Sequence, residues 1–112
     1  MSRTITSPVK RFEGTVVIPD YLNFDQVFAF QDGLAAAGQL RNTEGVTGYQ
    51  VNRAALPGVL ACVEEWHLAG MPERVTLETF PATPPISAAR LLGWLINEIS
   101  SLYDEAETIP ND

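Results

Sequence analysis

The sequence predicts a mainly α fold: a three-helix domain with a short N-terminal β-strand or hairpin. Three observations predict it. The stretch Ser87–Glu107 carries no proline, and its apolar residues Ala88, Leu92, Leu95, Ile99, Leu102 and Ala106 keep to one helical face. Asn23 followed by Gln26 has the spacing of a capping box ahead of a second apolar-periodic run. Phe12–Ile18, FEGTVVI, is short and β-branched and ends at Pro19-Asp20, as a strand would.

In chain order, residues 1–10 read as a flexible N-terminal arm, small and polar and broken by Ser7-Pro8. Residues 11–108 read as a single helical domain and 109–112 as a C-terminal tail. The strand at Phe12–Ile18 needs a partner for its edges. Thr47–Val51, Arg74–Leu77 or another subunit are the candidates. The first helix spans Asn23–Gly38, with Asp25 complementing its first turn and Gly38 in the C′ position. Phe24, Val27, Phe28, Gln31, Leu34 and Ala35 trace one face of it, and Phe30 and Ala37 fall off that face. Gly33 inside the helix either permits close packing or is tolerated at about 1 kcal/mol against Ala.

Gln39–Gln50 lacks a helical period and reads as a connecting loop. Asn52–Leu68 reads as the second helix, a short turn leading into a main segment past Pro57-Gly58, with Leu56, Leu60, Val63 and His67 on one face. Ala69–Ile86 holds four prolines and reads as a stiff surface connection, pinned by Leu77, Phe80 and Ile86. The third helix then starts at Ser87 as N-cap, with Pro84 and Pro85 outside it. Leu91, Trp94, Ile96 and Tyr103 widen its apolar face.

Composition narrows the function. The chain has 112 residues, enough for one domain with a modest core. Its formal charge is −7, from fourteen acids and seven bases, which argues against neutralising nucleic-acid phosphates. The charge is uneven: Glu98, Asp104, Glu105, Glu107 and Asp112 follow the last base, Arg90. Such an end either aids solubility or meets a basic partner. No apolar run is long enough to span a bilayer, and Met1–Gly14 lacks the apolar centre of a signal peptide. The single Cys62 has no partner for an internal disulfide and fits a cytosolic chain.

Catalytic patterns are scarce. His67 is the one histidine. Cys62 and His67, five apart on an expected helix, do not meet well. Glu64 and Glu65 are adjacent and point to different sides. No phosphate-binding glycine loop, HExxH or CxxC occurs. Neither a catalytic set nor a metal or cofactor site is expected. Trp66 and Trp94 are each suited to the core or to an interface, where Trp brings large area and one N–H donor.

One segment carries a resemblance. Val63-Glu64-Glu65-Trp66-His67-Leu68, then Gly70-Met71-Pro72, Val75-Thr76-Leu77-Glu78-Thr79-Phe80, Ile86, and the helix bearing Leu91, Leu92, Leu95, Ile96 and Ile99 resemble a pattern of small bacteriophage tail-assembly proteins. There a helix ends in a Trp-Asn-Leu type sequence, a Pro-containing loop follows, and an apolar helix closes near an acidic end. The likeness covers Val63 to Asn111, under half of the chain, and departs at His67, where Asn is commoner.

The resemblance implies a non-catalytic tail-assembly chaperone in the host cytoplasm. Its partners would be the tape-measure and tail-tube proteins; the residues leave open whether it also forms a homo-oligomer. The client would lie in an apolar groove between the second and third helices. Trp66, His67, Leu91, Trp94, Tyr103, Asp104 and Glu105 are the expected partner-binding residues. The alternative is a structural virion component (connector, tail-tube or decoration subunit) whose N-terminal strand pairs between subunits.

Overall fold

The computed structural model describes residues 2–107, with side chains as far as Asp104. The expected tail at 109–112 lies outside the described residues. The architecture is mixed α/β and mainly helical. Strand β1 (Ser2–Thr6) and a short 3-10 turn (Lys10–Phe12) lead into β2 (Gly14–Pro19). Then come α1 (Phe24–Arg41), α2 (Gly48–Ala54), α3 (Leu56–Cys62), β3 (Glu65–Leu68) and the long α4 (Pro85–Glu107).

The sheet is antiparallel in the order β1-β2-β3, so chain neighbours β1 and β2 pair first and β3 returns after three helices. Where an N-terminal arm was expected, Ser2–Thr6 pairs with β2 from Ser2–Pro19 to Thr6–Thr15. The β-branched Thr4, Ile5 and Thr6 suit a pleated strand. β3 pairs with β2 through Val16–Trp66 and Gly14–Leu68. Both internal partners expected for the N-terminal strand are therefore replaced: Thr47–Val51 caps and opens a helix, and Arg74–Leu77 is a turn segment.

β3 also corrects the expected second helix. Glu65-Trp66-His67-Leu68 alternates exposed and buried. Period 2 puts Trp66 and Leu68 on the core side and Glu65 and His67 on the solvent side. A helix running on to Leu68 would break that alternation. The helical part ends at Cys62, and the Val63 N–H still bonds to the Val59 carbonyl at 3.2 Å.

Gly14 makes the tight approach between β2 and β3. Its φ is +138°, and a Cβ there would lie 2.0 Å from the His67 carbonyl oxygen. Only glycine fits such a contact and such a backbone.

α1 opens as expected. Gln26 N–H bonds to the Asn23 Oδ1 at 2.8 Å and Gln26 Oε1 accepts from the Asn23 N–H at 2.9 Å. The helix then runs through Gly38 to Arg41, so Gly38 does not end it. The same reciprocal cap recurs at α2, where Thr47 and Gln50 bond to each other's N–H.

α1 faces the core with Phe30, Gly33 and Ala37, the residues off the face that its larger side chains trace; of the two places open to Phe30, exposed or buried, it takes the buried one. The reason lies across the interface. A Cβ on Gly58 of α3 would come within 2.7 Å of the Ala29 carbonyl and the Phe30 Cα, and one on Gly33 within 3.0 Å of the Ala55 carbonyl. Backbones this close exclude a large-residue stripe between the helices.

α4 carries the core face its period predicted: Ala88, Leu91, Leu92, Leu95, Ile99 and Leu102 are all buried. It starts at Pro85, three residues before the Ala88 that an N-cap at Ser87 would make the first, so Ser87 lies inside the helix and does not cap it. The Ala88 N–H bonds to the Pro84 carbonyl at 2.9 Å, which places Pro85 in the first turn, where its missing N–H costs nothing. At 23 residues α4 is about 35 Å long.

Candidate protein-docking surface

The core takes up two of the seven residues expected to meet a partner, Trp66 and Leu91. Trp66 is buried, its ring edge-on to Phe80 at 6.4 Å. Leu91 has no accessible surface. The groove expected between the second and third helices is filled, because Leu56, Val59 and Cys62 pack in one cluster with Leu91, Leu92, Leu95 and Ile99. Trp66 and Leu91 therefore serve the fold: Leu91 has no surface left for a client and Trp66 keeps only a small edge.

The remaining expected residues are dispersed. Trp94 is half-buried against the core. Tyr103 is half-buried, with its ring 5.6 Å from Phe30. Asp104 is exposed, and the side chain of Glu105 lies outside the described residues. His67 stands on the solvent side of β3, 2.9 Å from the Glu65 carboxylate.

The connection after β3 is pinned by Phe80 and Val75, both buried, while Leu77 and Ile86 are exposed. Thr76 and Thr79 lock the turn that seats Phe80. The Thr76 N–H bonds to the Thr79 Oγ1 at 2.7 Å, the Thr79 N–H to the Thr76 Oγ1 at 3.2 Å, and the Phe80 N–H to the Thr76 carbonyl at 2.9 Å. Arg53 of α2 straps the same connection, donating to the Leu77 carbonyl at 2.6 Å and the Tyr49 hydroxyl at 3.2 Å. Tyr49 in turn donates to the Pro81 carbonyl at 2.9 Å.

A different apolar surface stands open. Tyr21 is 78% exposed, Phe24 81% and Phe28 59%. Phe24 and Phe28, one turn apart, stack at 6.4 Å. At 100° per residue they lie on the side of α1 away from Phe30, Gly33 and Ala37. Gln31 and Ala35 continue this exposed face. Asp25 and Asp32, both exposed, border it. Large aromatics exposed next to one another mark contact surfaces far more often than a lone exposed Leu does. The sequence did name Phe24 and Phe28 as one face. It missed that this face is turned to solvent, since apolar period alone does not say which of two apolar sides is covered.

Chemistry is sparse elsewhere. Among the described residues no group of three His, Cys, Asp or Glu is placed to hold a metal ion. Glu64, Glu65, Trp66, His67 and Glu73 line a shallow acidic depression of about 270 Å³. Cys62 is buried in α3, its Sγ 3.8 Å from the Gln26 carbonyl, and burial pushes its thiol up to about 12. Such a thiol stays protonated at neutral pH and is a poor nucleophile.

Protein-family models, curated proteins and solved structures give no match to this chain. No helix among the described residues is long and apolar enough to cross a membrane.

Proposed function

We propose that the chain is a non-catalytic protein-binding module, a tail-assembly chaperone that shields an apolar helical segment of a phage tape-measure or tail-tube protein. The observation that carries the reading is the stacked, exposed pair Phe24 and Phe28, with Tyr21, exposed as well, three residues before Phe24 in the chain. A helix on a helix is the mode this strip fits: an amphipathic client segment presenting side chains at i, i+3, i+4 and i+7 meets aromatics spaced one turn apart. Asp25 and Asp32 at its border favour a client with Lys or Arg beside its apolar stripe. The net charge of −7 keeps such a complex soluble and steers a basic segment toward it.

The site thus moves from the second and third helices, where the resemblance put it, to α1. Co-expression with a tape-measure protein tests the reading. The client should be soluble with the wild-type chain and insoluble with the Phe24→Asp/Phe28→Asp variant, whose own folding is unchanged because both side chains are exposed. A client equally soluble with the variant would sink the assignment of this strip.

A further inference from the structure

We propose that β1 pairs antiparallel with the β1 of a second copy, joining two three-stranded sheets into one of six strands. Some main-chain groups of the sheet are already used. The Ser7 N–H bonds to the Gly14 carbonyl at 2.9 Å, and the Ala69 N–H to the Glu13 carbonyl at 2.8 Å. Even residues of β2 therefore face β1 and odd residues face β3. With Arg3 opposite Ile18 and Ile5 opposite Val16, Arg3, Ile5 and Ser7 turn their main-chain groups inward. Ser2, Thr4 and Thr6 turn theirs outward. β1 is the end of the sheet, and no further strand covers it among the described residues.

The open edge is self-complementary. Thr4 is the centre of Ser2–Thr6. A two-fold axis through Thr4 sets Ser2 opposite Thr6 of the second copy, Thr4 opposite Thr4, and Thr6 opposite Ser2. Every outward N–H and C=O then finds a partner. Arg3 falls opposite Ile5, so no like charges oppose each other, and the Thr and Ser side chains form favourable cross-strand pairs. A slip by one residue would face outward groups with inward ones. The contact is the same patch on both copies and closes as a dimer.

The two edges of the sheet differ in protection. β3 has four residues and sits by the carboxylates of Glu65 and Glu73, which would repel a second acidic edge, whereas the Glu64 carboxylate accepts a hydrogen bond from the Ser2 hydroxyl of β1. β1 has no proline or bulge, and its one charge, Arg3, lies 3.5 Å from Asp20 at the end of β2, so little blunts this edge. Two five-residue strands make a small interface, so the association belongs to the weak, concentration-dependent class.

The test is independent of the client reading, since it leaves Tyr21, Phe24 and Phe28 untouched. Sedimentation from about 10 to about 500 µM brackets such a weak interface. The wild-type mass should rise from 12.3 kDa toward twice that value. Thr4→Pro removes an N–H that β2 does not use, so it should stay at the monomer mass with an unchanged circular dichroism spectrum. Thr4→Cys should cross-link to a dimer under mild oxidation while Thr6→Cys does not, because Cys62 is buried and only the Thr4 positions meet. If Thr4→Pro fails to fold, the cysteine pair decides. A wild-type monomer throughout, a Thr6→Cys cross-link equal to that of Thr4→Cys, or an open-ended series of larger species would each overturn the proposal.

Discussion

At the scale of single residues, three glycines fix the geometry. Gly58 lets α3 lie on the α1 backbone at Ala29 and Phe30, Gly33 does the same toward Ala55, and Gly14 brings β2 under the His67 carbonyl. Gly58→Ala should destabilise by about 1–3 kcal/mol through backbone overpacking. Gly14→Ala should cost more, about 2–4 kcal/mol, because it adds an unfavourable φ to the clash. Chemical denaturation of the two variants checks both the signs and the order. Gly38→Ala is the control: nothing lies within 4 Å of its Cβ, and the change should be neutral or stabilise the helix.

Cys62 makes a pH prediction at the same scale. Its thiol is neutral in both states at pH 7. Burial raises it from 9.0 to about 12, so between those values the unfolded chain ionises while the folded one does not. The thiol's contribution is thus constant below that window and falls as pH rises through it. Denaturation midpoints measured against pH should decline more steeply above pH 9 for wild type than for Cys62→Ala.

At the scale of elements, legibility followed how far each one depends on its own residues. α4 could be read almost whole, because a single amphipathic stripe with one polar side admits one burial. The cap of α1 could be read too, since Asn23 and Gln26 bond only to each other's N–H. The buried side of α1 could not: the large Phe24 and Phe28 outrank Phe30 and two small residues in any apolar period, and the deciding contact is with Gly58, distant in sequence. β3 was missed for a related reason. Four residues following a helical run show too little alternation until β2 is there to pair with. The candidate site was legible only as residue names, with Phe24 and Phe28 seen as one face of α1 and nothing in the sequence to say that this face is open.

The strap between α2 and the connection after β3 belongs to this scale as well. Arg53 bonds to Leu77 and Tyr49, and Tyr49 to Pro81. Arg53→Ala should lower stability by about 1–2 kcal/mol. Limited proteolysis should then cut within residues 69–84 sooner than in wild type, while β3 and α4 keep their protection.

For the whole molecule, the apolar interior and the open surface divide between elements. α4, α3 and the sheet close one core in which no polar or charged side chain is buried among the described residues. α1 covers that core with Phe30 and the small residues Gly33 and Ala37 and carries its exposed aromatics, Phe24 and Phe28, outward. A domain of this size has little stability to spare, so an aromatic strip that adds nothing to its own core is best explained by a partner. β1 adds a second, self-pairing edge, which would present two such strips on one dimer.

The central claim is that Phe24 and Phe28 hold the client. Its most direct test is the soluble fraction of a co-expressed tape-measure protein with wild type and with Phe24→Asp/Phe28→Asp, paired with the thermal midpoint of each chain alone. The account predicts a soluble client with wild type, an aggregated one with the variant, and thermal midpoints that agree within the shift expected of about 0.5 kcal/mol. A client that is no more soluble with wild type than without it, or one that the variant protects equally well, would contradict it.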